Sequence, residues 1–432
     1  MFDQAIRSRV LAALGAGAFS QVISLVIQLG SLPLFLMQWD THRYGVWLML
    51  SAIPAYLSMA DVGLVTTAGN RMTMALAQGQ VAIANRVFHT AQAFLLLVSA
   101  MVGLIVALVL FGGLSGLQPN EVWALWWLTL AVLLSLAGGI AEAAFRSTER
   151  YAQGTTVANL IRLVEWLAAL VGLWLSGDYA GVAFGMAMAR LVGLFVLVQQ
   201  CQADQHGLSW KVSGASLAEM RDMVKPALSF MAFPLANALT FQGATLLVGW
   251  VCGPAAVTAF NAARTVSRVA VQCTAIPAHA LWAEFSRLYG LSSWTSLKQL
   301  YVRAFRSGLA LSIGLSIVLY WIGPWLYQWW TARQLAFDAN LMSMLLIYAA
   351  VAGVWHVPRV LLMSSNQHVG LAAWQITSSV LMLACGYVLL KPYGLLGMAI
   401  SMLLAEVLLA VVCTMQAKGK FRDQSWDGVV TP

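Results

Sequence analysis

The stretch FNAARTVSRVAVQ, residues 260–272, carries Arg264 and Arg268 four positions apart inside a long apolar segment, with no acid between them. On a helix, residues four apart share a face, so the two guanidinium groups would stand side by side. Arginine's planar fork binds phosphate oxygens two at a time and keeps its charge at any physiological pH. Two further arginines, Arg162 and Arg190, also fall within apolar segments. The acids at comparable positions are Asp61, Glu142, Glu165 and Glu406. An ionisable group at bilayer depth costs about 2.5–3.5 kcal/mol on insertion scales, so each must meet a partner or water.

For each of these groups a structural role competes with a functional one. Arg162 and Glu165 are spaced i,i+3 and could pair along one helix. Arg190 could pair with Glu165 or Asp61, or line a binding cavity with Arg162. Arg264 and Arg268 repel each other, and the one deep acid in the second half of the chain is Glu406. One ion pair would still leave a surplus positive charge, which points to a water-filled cavity that takes an anion. We therefore expect Arg264, Arg268, Arg162 and Arg190 to bind substrate. A carboxylate in apolar surroundings can exchange a proton near neutral pH, which makes Asp61, Glu406 and Glu165 candidates for ion coupling as well as arginine partners. His356 is either a titrating group or a hydrogen-bonded core residue. Asn237, Gln242 and Asn261 could bind sugar hydroxyls or link helices.

These residues need a scaffold, and composition says which. The 432 residues are 60% hydrophobic and 9% charged, with a mean hydropathy of +0.78. A soluble domain carries roughly 25% charged residues, so this is an integral membrane protein. The net charge of +8 does not indicate nucleic acid, because Lys and Arg are scattered between apolar segments. Five cysteines without a C-x-x-C pair suggest neither disulfides nor a metal. The apolar run near the N-terminus exceeds the ~7–15 residues of a signal-peptide core, so it reads as a retained first helix.

A span needs about 20 apolar residues. Twelve segments qualify, at 10–37, 43–70, 84–112, 121–145, 155–176, 179–201, 226–252, 255–285, 302–328, 335–363, 369–390 and 393–417. Their alternation puts 17 Lys and Arg on one side, Arg359 among them, 3 on the other, and 4 within spans. The positive-inside rule then predicts two cytoplasmic termini. The fold expected is an all-α polytopic membrane protein, with about 12 transmembrane helices in two six-helix lobes around a central cavity. The lobes are 1–201 and 226–417, joined by a cytoplasmic linker at 202–225 and followed by a tail at 418–432. The linker's SLAE, residues 216–219, reads as a capping box on a short surface helix. Tryptophans in EVWALWW (121–127) and GPWLYQWW (323–330) fit an aromatic belt. Pro33, Pro54, Pro234, Pro277 and Pro358 favour kinks within helices.

No P-loop, H-E-x-x-H or Cys/His cluster occurs. The connections on the less basic side are no longer than about a dozen residues when each span takes ~20, which leaves little room for a catalytic site. The chain is expected to move a substrate, with no enzymatic activity and no cofactor beyond an H+ or Na+ coupling ion.

Two stretches carry a family resemblance. Residues 30–72, with Tyr44-Gly45 and Asp61-Val62-Gly63, resemble the opening of the Wzx-type polysaccharide-synthesis flippases. These belong to the multidrug/oligosaccharidyl-lipid/polysaccharide exporter superfamily. Residues 225–290, with R-T-V-S-R at 264–268 and E-F-S-R-L-Y-G at 284–290, are similar to the second half of that family. Ala283 departs from it, standing where proline is expected before the acid. The resemblance implies a V-shaped cavity and an undecaprenyl-diphosphate-linked oligosaccharide substrate, such as an O-antigen (lipopolysaccharide), capsule or exopolysaccharide unit. It implies ion-coupled alternating access across a bacterial inner membrane, with Arg264 and Arg268 matching the family's arginines of the eighth helix. Implied partners are the lipid-linked oligosaccharide, membrane lipid, and a polysaccharide polymerase with other assembly proteins, for a chain expected to act as a monomer. The alternatives are a multidrug extruder of the same superfamily, whose cationic substrates call for an acidic cavity, and a membrane polymerase or ligase.

Overall fold

Within a bilayer every backbone polar group needs an internal partner, and an α-helix supplies one within each segment. The computed structural model describes residues 2–61, 63–113, 116–202, 208–210, 213–364 and 369–423. Val62, part of the expected linker (203–207, 211 and 212) and the tail beyond Asp423 lie outside the described residues. The elements are α1 (Phe2–Leu36), α2 (Thr41–Leu57), α3 (Leu64–Ala77), α4 (Val81–Phe111), α5 (Pro119–Ser147), α6 (Tyr151–Ser176), α7 (Tyr179–Gln202) and α8 (Leu217–Ala238). A π-helical turn, Leu239–Gly243, leads into α9 (Ala244–Cys252). They are followed by α10 (Pro254–Ala280), α11 (Trp282–Gly290), α12 (Trp294–Trp330), α13 (Ala339–Ser364), α14 (Val369–Tyr393) and α15 (Leu395–Asp423).

Among the described residues, ten helices are long and apolar enough to cross a membrane. Leu96, Leu97, Leu104, Ile105 and Leu108 on α4 are exposed, a stripe that suits lipid and not water. The second and eighth expected spans are the ones that depart. The second breaks between Leu57 and Leu64, because the Asp61 carboxylate accepts the Gly63 N–H at 3.2 Å and Gly63 adopts a left-handed φ of 74°. That is an Asx turn followed by a glycine that tolerates positive φ. The eighth is interrupted at Leu281, between α10 and α11. The seventh runs through α8, the π turn and α9, so the helix that SLAE caps is no separate surface element. The Ser216 hydroxyl accepts the Glu219 N–H at 3.5 Å, and the chain continues helically from Leu217.

Packing groups the chain into two compact units. One comprises residues 1–39 and 50–234, the other residues 40–49 and 235–432. The first is centred on Leu64, Met72, Phe88, Leu95 and Ile140. Its α6 and α7 touch closely, since a Cβ on Gly185 would sit 2.4 Å from the Ala168 carbonyl oxygen. The second has a core of Phe285, Leu297, Tyr301, Val360 and Leu361. Residues 41–49 pack against α9 and α10, where the Thr258 hydroxyl donates to the Thr41 carbonyl at 2.7 Å. Gly45 lies so near α10 that a Cβ would fall 1.8 Å from the Pro254 carbonyl oxygen. This contact accounts for glycine after Tyr44.

Candidate functional site

In the first unit, Arg190 of α7 and the buried Glu165 of α6 form an ion pair through Nη2 and Oε2. Each helix contributes one member, so the pair ties α6 to α7. Glu142 of α5 also lies in the electrostatic field of Arg190. Arg162 is on the exposed side of α6 and donates from Nη1 to the Ser24 hydroxyl of α1 at 3.1 Å. Its electrostatic interaction with Glu165 completes a mixed-charge group in which the carboxylate serves two arginines. Asp61 stands apart from these arginines, occupied with the turn that starts α3.

The second unit handles charge differently. Arg264 is buried, 6% exposed, and held by neutral acceptors. Its Nη1 donates to the Phe241 carbonyl at 3.1 Å, and its Nη2 to the Thr245 hydroxyl at 3.0 Å and to the Asn261 side-chain oxygen. The rings of Phe241 and Phe260 lie 5.5 and 5.2 Å from its central carbon, within cation–π range. The π turn matters here. A widened turn redirects backbone carbonyls, and such turns recur at functional positions. This one brings both the carbonyl and the ring of Phe241 to α10.

Arg268 is half-buried, with its central carbon 4.6 Å from the centre of the same Phe241 ring. Among the described residues it makes no hydrogen bond and no ion pair. Stacking on an aromatic face holds the guanidinium plane in place while leaving its N–H groups available. Arg264 therefore has its donors committed, and Arg268 presents its own.

Glu406 does not neutralise either one. It is buried on α15, and Oε1 accepts the Trp355 indole N–H at 2.6 Å. Its cationic neighbour is Arg359, whose central carbon lies 5.3 Å from the Trp355 ring centre. Buried Tyr348 on α13 is in electrostatic reach of Arg264, Arg268 and Glu406. His356 is buried, with Nδ1 3.2 Å from the Thr274 hydroxyl, and belongs to the core. Asn261 links α10 to α9 by accepting the Thr245 hydroxyl at 3.3 Å, and its Nδ2 donates to the Val257 carbonyl at 3.0 Å.

No family model matches the sequence, and no curated protein matches it. Solved structures do. An inward-facing multidrug resistance MATE transporter of the MOP superfamily superposes with a TM-score of 0.72 at 11% identity, over 94% of this chain and 100% of that one. A mutant of VcmN, a MATE transporter of Vibrio cholerae, gives 0.64 at 16% identity over 97% and 98% of the two chains. A MOP-superfamily transporter from Pyrococcus furiosus, described as having a binding pocket of reversed polarity, gives 0.64 at 11% identity over 96% and 94%. The fold is that of the MATE transporters.

Within this MATE-type fold, three contributors to the second unit's charge site escape a reading of hydropathy. Arg359 counts as a basic residue on the cytoplasmic side when the tenth span is ended at 363. In the structure α13 carries it inward to the neighbourhood of Glu406. Phe241 and Thr245 join the site through the π turn. The sequence around them, ALTFQGAT, has no periodicity that announces a five-residue turn. A sharper signal was the Asn-x-x-Arg spacing of Asn261 and Arg264, which puts a neutral acceptor one turn from the guanidinium.

Proposed function

We propose that the protein is a flippase for an undecaprenyl-diphosphate-linked oligosaccharide, an O-antigen, capsule or exopolysaccharide unit, carried from the cytoplasmic to the periplasmic leaflet of a bacterial inner membrane. The observation that carries this reading is Arg268. It is an arginine stacked on Phe241 at bilayer depth, beside a second arginine, and among the described residues no carboxylate pairs with either. Such a group favours an anion, and a diphosphate offers the paired oxygens that its fork binds. Neutral hydrogen-bond partners fix Arg264, so its charge adds to the local positive field without quenching by an acid. Arg162 and Arg190 remain substrate contacts only insofar as Glu165 leaves part of their charge uncompensated.

Movement is by alternating access of two helical units, driven by H+ or Na+, with both termini cytoplasmic. Glu406 is the first candidate for ion coupling, because a carboxylate between Trp355, Tyr348 and Arg359 could relay its charge state towards the arginines. Asp61 and Glu165 have structural duties that compete with coupling.

The fold likeness to multidrug MATE transporters supports an extrusion antiporter as the second reading. A cationic drug would have to approach two uncompensated arginines, which opposes it. The two readings separate in a deletion strain of the source organism. The flippase reading predicts that the strain loses surface polysaccharide and accumulates lipid-linked oligosaccharide on the cytoplasmic leaflet, and that Arg268→Ala fails to restore export at normal protein levels. Unchanged polysaccharide with increased susceptibility to cationic drugs would establish the antiporter instead.

A further inference from the structure

The N-terminal turns of α12 carry a second cationic site, away from the arginines of α10. Thr295, Lys298, Gln299, Val302, Arg303 and Arg306 follow the i, i+3, i+4, i+7 rhythm of a single helix face. With Trp294 and Phe421 they line a groove of about 690 Å³. Phe421 comes from the last turns of α15 and is seated against Tyr301 of α12, ring centres 5.3 Å apart. Trp294 is braced by Tyr289 at 5.3 Å. The aromatic walls are thus fixed by neighbours within the same unit. The three cations are not: among the described residues Lys298, Arg303 and Arg306 are exposed and make no hydrogen bond or ion pair. Among the described residues no carboxylate lines the groove.

A run of basic residues is usually a solvated face, and three lysine or arginine side chains on a soluble helix would need no ligand. The placement here argues otherwise. Directly after Arg306 the helix becomes membrane-spanning, reading SGLALSIGLSIVLYW from Ser307. The stripe therefore stands at the boundary where lipid phosphates lie, on the side that the lysine and arginine count marks as cytoplasmic. Basic pockets at that level bind anionic headgroups, and aromatic residues are favoured at the same depth. We infer that this groove, between the start of α12 and the end of α15, holds the phosphate-bearing headgroup of a resident anionic phospholipid. Arg303 and Arg306 supply bidentate donors, Lys298 a point charge, and Trp294 and Phe421 the apolar walls for the glycerol and upper acyl chain. The site is independent of whichever substrate is transported. Its consequence is a dependence of the full-length protein on anionic lipid.

The test is native mass spectrometry of the full chain released from nanodiscs of phosphatidylcholine with phosphatidylglycerol. The wild type is compared with a Lys298→Gln, Arg303→Gln, Arg306→Gln triple variant and with a charge-retaining Lys298→Arg, Arg303→Lys, Arg306→Lys variant. With three basic residues neutralised near an anionic surface, the triple variant should bind phosphatidylglycerol about a hundredfold more weakly. The charge-retaining variant should stay within about threefold of the wild type. Matching melting temperatures in detergent establish that each variant is folded, and if the neutral variant fails to fold, Arg303→Gln alone replaces it with a smaller loss in the same direction. Equal phosphatidylglycerol binding by wild type and neutral variant overturns the proposal. So does displacement of the lipid by millimolar inorganic phosphate, which would assign the groove to a soluble anion. Preferential capture of undecaprenyl phosphate over phosphatidylglycerol would overturn it in favour of the transported substrate class.

Discussion

Arg190 in the first unit and Arg268 in the second are both half-buried arginines on apolar helices, and the chain treats them in opposite ways. Arg190 meets Glu165 directly, with Arg162 and Glu142 nearby, so the charges of that region largely cancel. Arg268 meets an aromatic face and a second arginine, while Glu406, the buried acid among the described residues of that unit, is engaged by Trp355. The difference teaches that burial of a cation does not by itself mark a binding site. What marks it is how the cation is held: an ion pair spends the charge on helix packing, whereas aromatic stacking keeps the charge available.

The comparison breaks most visibly at Glu165. Glu165→Gln removes the carboxylate that pairs with Arg190 and leaves it only the field of Glu142, which should destabilise the protein by about 3 kcal/mol. Thermal unfolding in detergent would register it as a large drop in melting temperature and in yield. Replacing both members, as Glu165→Leu with Arg190→Met, should recover most of that loss and retain transport. A double variant that is stable but inactive would move substrate binding into the first unit and undo the contrast.

Arg264→Met comes next. It removes the three hydrogen bonds that Arg264 gives to the Phe241 carbonyl, the Thr245 hydroxyl and the Asn261 oxygen, at a cost of about 2–3 kcal/mol by the same melting assay. Transport should fall as well, because part of the local field is gone. Trp355→Phe is smaller. It removes the indole N–H from Glu406 and should cost about 1.5–2 kcal/mol. If Glu406 is the coupling group, the ion dependence of transport in proteoliposomes should shift in that variant, while the apparent affinity for the lipid-linked substrate stays unchanged. An altered substrate affinity with unaltered ion dependence would place Glu406 in the binding site.

Much of the scaffold is legible from hydropathy, because in lipid a helix must be both long and apolar. The sequence also exposes the deep charges, since they interrupt that pattern. What it hides is how each charge is met. Glu165 can be matched to Arg190 or Arg162 by spacing alone, and the choice awaits the packing of α6 on α7. Glu406 is the natural match for Arg264 and Arg268 by count, yet it is held by Trp355 and neighbours Arg359, both of α13. The π turn that offers Phe241 to α10 depends on tertiary contacts with no local sequence signature. Asp61-x-Gly63 is the counterexample. An Asx turn with a left-handed glycine is written in three residues, yet the apolar run around it reads as one continuous span.

The smallest effect on stability is expected at Arg268, the position to which the proposed function assigns the anion. Arg268→Met has no hydrogen bond to lose among the described residues, and it trades the Phe241 contact against relief of repulsion from Arg264, so it should change unfolding by about 0.5–1 kcal/mol. The direct test is translocation of a diphosphate-linked polyprenyl oligosaccharide in proteoliposomes bearing wild type, Arg268→Met or the Glu165→Leu, Arg190→Met double variant, at matched protein density. Loss of translocation in Arg268→Met, with the double variant active, is the result expected. An active Arg268→Met beside an inactive double variant would contradict the assignment of the anion site to α10.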